Sequence, residues 1–438
     1  MSGESATEEL RAAFDELIGA LQRARDAVDS PDRHAPPPTD RGLAEGYRYL
    51  LGFLFGSIER AFFEDADFPY FRRAIQPVDK ATIDNADALY LSAPIDGSGC
   101  YRLRGRLAPA RKAPAYLIVE AHTAYAGDSG GLGELAPGQR AITGSLDSTA
   151  IQVDDDGRFE IMAGPERPAG WTGDFLPTRA ETADGAHSAR YLIVRYLFDD
   201  WAEEGSPELT ITRIGNEGGH PPPLQPAAAA EKMRRLGALV ENQMCFWNEF
   251  YDVLLEAHGD RNGDGQTFMP RNGLNEPARA NLATGGGQNT NVYSGGTFDL
   301  APDEALVVEV TVPVVPSYLG VHLANLWGES LDYANHVSSL NGFQAEPDED
   351  GTLRFVVAHT DPGVPNWLDT TGLHRGFMTV RWTYPQPPQE LPKVSVTTLA
   401  HRDIGRALPT GTRRISGEER RKQIAIRQEH VQRRYRQY

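Results

Sequence analysis

The stretch Asn366-Trp367-Leu368-Asp369, with His359 and Asp361 just before it and His374 just after it, is the densest gathering of reactive side chains in the chain. An imidazole beside a carboxylate can take up and return a proton near neutral pH, because the negative charge raises its proton affinity. His359, Asp361, Asp369 and His374 are therefore the candidate catalytic groups. His359 ends a strand-like run and the others fall on the loop after it, where function is placed more often than in packed strands. The same residues also suit a loop locked by side-chain to backbone hydrogen bonds, with Trp367 as its apolar plug.

A second group comprises His322, Asn325, Trp327, Glu329, Asp332, Tyr333 and His336. A strand's period of two puts Asn325 and Trp327 on one face and His322 on the other. An amide beside an indole suits a polar group on a partly apolar ligand. The candidate ligand-binding residues are Asn325, Trp327, Tyr333, Asn366 and Trp367, joined by Arg381, while Glu329 and Asp332 also read as turn caps. Upstream, Arg102 and Arg104 share a strand face, and Asp199, Asp200, Glu203 and Glu204 crowd Trp201. Paired carboxylates can divide acid and base roles; four on one loop more simply make a hydrated turn, with Asp200 ion-paired to an arginine.

The run Asp260-Arg261-Asn262-Gly263-Asp264-Gly265 matches the first half of a calcium loop, but its twelfth position is Arg271 where a bidentate Glu is required. His122, His220, His258 and His401 have no metal-ligand spacing. The glycine-rich stretches 130–133 and 285–287 lack the strand-turn-helix setting of a dinucleotide site, and Ser145, Ser148 and Ser294 lack a nucleophile elbow. No metal and no cofactor is expected.

The elements that must hold these residues follow from composition and periodicity. The chain has 438 residues, 40% hydrophobic and 24% charged, enough for more than one core. Its net charge of -18 divides into +7 over residues 401–438 and -25 over the rest, which argues against nucleic acid or an anionic membrane as partner. Two cysteines, Cys100 and Cys245, leave no disulfide framework, and the acidic start carries no secretory signal. A cytoplasmic protein without membrane spans is expected.

Residues 1–80 read as helical, with amphipathic segments at 5–29 (Leu10, Phe14, Leu17, Leu21, Ala27) and about 40–64 (Tyr47, Leu50, Leu51, Leu54, Ile58, Phe62). Residues 81–220 carry short strand-like runs at 88–92, 100–107, 115–121, 149–153, 159–162, 189–197 and 208–214, separated by turn pairs such as Asp156-Gly157. A helix over 227–258 leads to a second strand domain at 288–386. Residues 400–438 end in a basic helix, expected to dock on a neighbouring subunit or on the chain's own acidic surface and so to support a homo-oligomer. The fold class expected is α+β, β-dominated, with two β-sandwich or jelly-roll-like domains joined by a long helix.

Residues 318–385, with Leu326-Trp327, Ser330-Leu331-Asp332-Tyr333, Asp350-Gly351, Asn366-Trp367-Leu368-Asp369 and Arg381-Trp382, resemble the bacterial family catalogued as domain of unknown function 1214. Upstream, Asp84-Asn85, Tyr101-Arg102-Leu103-Arg104-Gly105, Arg195 and Asp200-Trp201 resemble the region that accompanies this domain. The resemblance implies two sandwich-like units with helices and no settled activity. The function expected is a cofactor-independent acid-base enzyme, a hydrolase, lyase or isomerase, acting on a small, partly apolar molecule in a cleft between the domains. The alternative is a non-catalytic protein that binds a small molecule or glycan, and a deep pocket with buried carboxylates would favour the enzyme.

Overall fold

The computed structural model describes residues 3–33, 35–183, 185–256, 268–279 and 290–435. The half calcium loop at 260–265 and His258 lie outside the described residues. The chain is α+β and β-rich. Two units, each made of a five-stranded and a four-stranded sheet, follow a helical N-terminal region.

In the first unit the five-stranded sheet runs β1 (Arg72–Ile75), β2 (Ala88–Pro94), β10 (Tyr191–Leu197), β4 (Tyr116–His122), β5 (Ile142–Asp147). Its partner sheet runs β11 (Glu208–Arg213), β3 (Tyr101–Arg106), β6 (Arg158–Gly164), β7 (Asp174–Pro177), and β8 (Arg179–Thr182) with β9 (Gly185–Ser188) forms a separate hairpin. The second unit repeats this order strand for strand. Its larger sheet runs β12 (Ala278–Arg279), β13 (Asn291–Asp299), β19 (Arg375–Thr383), β15 (Tyr318–Ala324), β16 (Ser339–Asn341). Its smaller sheet runs β20 (Lys393–Ala400), β14 (Glu304–Thr311), β17 (Leu353–Ala358), β18 (Trp367–Asp369). Even the parallel pairs correspond, β6 with β7 and β17 with β18.

Register makes the repeat residue-specific. Arg195 on β10 lies opposite Tyr90 on β2 and Ile118 on β4; Arg381 on β19 lies opposite Tyr293 on β13 and Gly320 on β15. The sequence carries the trace as Val194-Arg195-Tyr196 against Val380-Arg381-Trp382, and Tyr116-Leu117 against Tyr318-Leu319. Counting along β4 and β15 from those tyrosines, Glu120 in the first unit corresponds to His322 in the second.

Each unit has its own core. Leu192, Val194 and Tyr196 of β10 point into the first, with Leu103, Leu117, Val119 and Ile161, while Val308, Val321, Val357, Met378, Val380 and Trp382 fill the second. The alternate residues of the two five-stranded sheets turn toward each other, and Ala88, Tyr116, Ile118, Leu197 and Tyr318 join there. Coverage on both faces explains why β15 and β19 are buried along nearly their whole length instead of alternating.

Several expected strands shift for local reasons. Residues 149–153 form no strand; the Asp147 carboxylate accepts hydrogen bonds from the Thr149 amide and hydroxyl and turns the chain after β5. In the second strand domain the first long strand, β13, is hidden from the sequence pattern by its Gly295-Gly296 pair. A side chain at Gly296 would overlap the Gly273 carbonyl. The second smaller sheet also takes its edge strand, β20, from beyond residue 386.

α1 (Gly3–Asp29), α2 (Asp40–Ile58, continued by a π-helical turn Glu59–Phe63) and α3 (Pro226–Leu254) pack together beside the junction of the two units. Their buried faces agree with expectation at Leu17, Ala27 and Leu50 and differ elsewhere. α1 buries Ala13, Leu17, Ala20, Ala24, Ala27 and Val28 and leaves Phe14 outside, and α2 buries Tyr49, Leu50 and Phe53 while Tyr47, Leu51 and Ile58 stay exposed. α2 packs on helices and on Trp327, not on a sheet face. Both of its sides are apolar, so periodicity alone does not choose the inner one.

After a single helical turn, α4 (Ile404–Ala407), the basic helix α5 (Gly417–Tyr435) starts at a reciprocal cap, with Ser416 Oγ accepting from the Glu419 amide and the Glu419 carboxylate accepting from the Ser416 amide. It docks on its own chain. Arg427 donates to the Tyr333 carbonyl and Ser339, Arg434 donates to the Ala86 carbonyl, Arg420 pairs with Asp361, and His430 stacks on Trp201. Of the two docking places expected for this helix, a neighbouring subunit or the chain's own surface, the second is the one observed. Among the described residues no helix is long and apolar enough to cross a membrane.

Candidate active site

The ten residues singled out above fall in several places. His359 Nδ1 lies 2.7 Å from Thr370 Oγ1, and the His359 and His374 rings both face the Leu300 carbonyl, with centroids 5.0 Å apart. Asp361 is held by Arg420 at 2.9 Å, and Asp369 lies 2.8 Å from His336 Nδ1. The two imidazoles therefore share a place, and each carboxylate has another partner. Trp367 is buried, donates to the Ala358 carbonyl and carries the Arg420 guanidinium 5.0 Å over its ring. Asn366 ties Glu346 on both sides. This is the locked-loop arrangement that the same residues suggested from sequence.

Asn325 caps its own turn and donates to Glu329 at 2.7 Å. Tyr333 is buried under α5, 3.4 Å from the Tyr435 hydroxyl. Trp327 donates to the Gly42 carbonyl and lies flat on α2, where a methyl group at Gly46 would overlap its ring and the Val28 side chain. Gly46→Ala is accordingly expected to destabilise the protein in urea unfolding, because an overpacking cost of about 1–3 kcal/mol exceeds the ~1 kcal/mol that Ala gains over Gly within a helix. In the first unit, Asp200 and Glu204 face Lys112 at 3.7 and 3.6 Å, and Arg104 pairs with Glu160. Among the described residues no three His, Cys, Asp or Glu side chains gather as metal ligands.

Of the ten, only Arg381 lines the large cavity of the molecule. This space of about 650 Å³ lies where the five-stranded sheets diverge, roofed by α2 and α3. Its wall is largely apolar, with Phe53, Ile75, Ile193, Trp247, Phe250 and Met269. The polar groups reaching it include Asp79, His122, Tyr90, Tyr293, Arg195 and Arg381.

Asp79 lies between β1 and β2, pressed against Gly52 and Gly56 of α2; a side chain at Gly56 would overlap its carboxylate. Among the described residues that carboxylate has no hydrogen-bond or ion-pair partner. Burial pushes its pKa up to about 7, with Arg72 pulling the other way and Glu59 adding to the rise. A carboxyl that exchanges its proton near neutrality, inside an apolar space, is equipped for acid-base work.

The arginines differ from one another. Arg60 is paired with Asp128 at 2.9 Å, Arg72 with Glu64 at 3.0 Å, Arg140 with Glu134 at 3.7 Å, and Arg195 with the fully buried Glu120. Arg381 has no carboxylate partner among the described residues. One terminal nitrogen donates to the Ile83 carbonyl at 2.8 Å, the guanidinium lies 5.6 Å from the Tyr293 ring centre, and Nε is buried with no acceptor. Sequence reasoning missed Asp79, which no motif marks. It placed Arg381 among the ligand-binding residues and Arg195 only in the resemblance, without relating the two, although the repeated Val-Arg-aromatic triplet carried the signal.

No family model matches the chain. No curated protein matches it either. It is similar to the crystal structure of an uncharacterised protein from Burkholderia cenocepacia, with 28% identity over 91% of this chain and 99% of that one and a TM-score of 0.73. The structure of the VPA0106 protein from Vibrio parahaemolyticus is 12% identical over 86% of this chain and 100% of that one, with a TM-score of 0.40. The Burkholderia protein shares the overall architecture.

Proposed function

We propose that this protein is an acid-base enzyme that takes a small, partly apolar organic molecule into the space between its two five-stranded sheets, with Asp79 as the proton carrier. The observation that carries the reading is an unpartnered, buried carboxyl at the wall of a large apolar cavity. Hydrolase, lyase and isomerase reactions all need a group that removes a proton from carbon or water and returns it elsewhere, and a carboxyl ionising near pH 7 serves both halves. A cavity of this volume is in the range of small-molecule sites.

Each two-sheet unit is read here as a β-sandwich, jelly-roll-like in that the chain crosses between sheets from β2 to β3, β3 to β4 and β5 to β6. Kinship of the second unit with the domain of unknown function 1214 family rests on its Asn366-Trp367-Leu368-Asp369 and Arg381-Trp382 motifs. Free thiols at Cys100 and Cys245 suit a reducing compartment, the cytoplasm.

The test is a turnover screen of small esters, lactones, hydroxy acids and enolisable ketones, with products read by mass spectrometry for the wild type and Asp79→Asn in parallel. Conversion by the wild type alone is expected. Equal conversion by both proteins overturns the role of Asp79, and tight retention of a compound without conversion favours the binding protein instead.

A further inference from the structure

The duplication allows one unit to be compared with the other at the same structural position. In the first unit Glu120, fully buried, neutralises Arg195 across β4 and β10. In the second unit the residue at the Glu120 position is His322, also buried, and burial together with the nearby Arg381 and Arg427 holds its pKa well below the usual histidine range. His322 is therefore neutral at pH 7, so the residue at the Glu120 position supplies no counter-charge, and the buried Asp87 carboxylate 3.7 Å from its Nε2 is already taken up by Tyr318, Trp201 and Asn341. The nearby Asp84 carboxylate is engaged with Ser330, accepting from its amide at 2.8 Å and its hydroxyl at 2.7 Å. Arg381, 6% exposed, is left as a buried cation whose Nε has no acceptor, at a cavity wall flanked by Tyr90 and Tyr293.

A buried charge is costly unless paired and hydrogen-bonded. Where the described residues supply no anionic partner and the cation borders an open cavity, the natural counter-charge comes with the ligand. We infer that Arg381 anchors the anionic group of the ligand, and that the substrate is a small monocarboxylate whose apolar body lies against Phe53, Trp247 and Phe250. This names the substrate class of the cavity proposed above and rests on that reading. Arg381 is the buried guanidinium left without a carboxylate among the described residues of the cavity wall, whereas Arg279 at the rim is exposed; one buried cation balances one negative charge, and its planar fork fits a carboxylate. A phosphate monoester would bring nearly two charges to a site that balances one.

The experiment uses the full chain and isothermal titration with phenylacetate, 4-phenylbutyrate and octanoate, each compared with its neutral amide. The wild type is expected to bind at least one acid tenfold or more tighter than its amide. Arg381→Gln is expected to bring acid and amide within twofold of each other. His322→Glu, which rebuilds in the second unit the pair found in the first, is expected to remove the preference for the acid while the amide still binds. Melting curves identify a variant that has not folded, and the other variant then decides. Equal binding of acid and amide by the wild type overturns the inference and leaves the cavity reading standing, as does a preference that survives both substitutions. Binding of neither in any pair counts against the cavity itself and the inference with it.

Discussion

Replacing Asp79 with asparagine is expected to make the protein more stable at pH 8 and nearly inactive. The sign follows from the proton balance. With a folded-state pKa of about 7 against an ordinary carboxyl value near 4, the native state retains a proton between about pH 4 and 7 that the unfolded chain has released. Wild-type stability therefore falls as pH rises through that window and levels off above it. The loss is on the order of 4 kcal/mol, since each unit of pKa difference corresponds to about 1.4 kcal/mol. Asparagine has no proton to lose, so the advantage of the variant grows from pH 4 to 7 and then stays constant. For a chain of this length that is about 4 °C in melting temperature. Turnover should fall by about 10² to 10⁴, the usual contribution of a positioned acid or base. Melting curves from pH 4 to 8 on both proteins check the first half. Parallel curves at every pH would mean that Asp79 titrates as an ordinary exposed carboxyl.

The second large effect belongs to α5. Ending the chain at Ser416 removes Arg427 and Arg434 from their carbonyl acceptors and uncovers Phe198 and Trp201, which both lie in the core of the first unit. Since Arg434 reaches the first unit at Ala86, and Arg420 and Arg427 reach the second at Asp361 and Tyr333, the helix bridges the two. The truncated protein is expected to melt at least 10 °C lower, or to aggregate. Arg434→Ala isolates part of this effect. It abandons the Ala86 carbonyl and the guanidinium contacts at 4.8 Å with the Phe198 and Trp201 rings, a cost of about 2–4 kcal/mol. Arg434→Met keeps the apolar stem and should recover some of it. Unchanged urea unfolding of Arg434→Ala would mean that the strap contributes nothing.

Much of the architecture is legible in the sequence because it depends on local rules. A period-two run marks β3, short apolar runs mark β4 and β10, the cap at Ser416 marks α5, and the Pro-rich break after α1 separates it from α2. Long-range complementarity is less legible. Phe14 and Tyr47 look like core residues by spacing, yet the inner faces of α1 and α2 are chosen by small residues that let helices approach closely. Gly46 and Gly56 belong to that set, one seating Trp327 and the other Asp79. β13 is hidden by glycines that admit another segment's backbone.

The site follows the same division. His359, Asp361, Asp369 and His374 are neighbours in sequence, and sequence proximity made them conspicuous, but the fold gives them separate partners. Asp79 and Arg381 are about three hundred residues apart and line one cavity only because two copies of one sheet face each other. Arg381 was visible as part of a motif; that it lacks a carboxylate became visible only beside Arg195 and Glu120.

Whether chemistry belongs to the cavity between the sheets or to the His359 loop is decided by assaying Asp79→Asn and His359→Ala on the same substrate. A loss of at least 100-fold in kcat is expected for Asp79→Asn and a change within about threefold for His359→Ala. Full activity in Asp79→Asn together with a large loss in His359→Ala would contradict the cavity assignment and return the site to the loop.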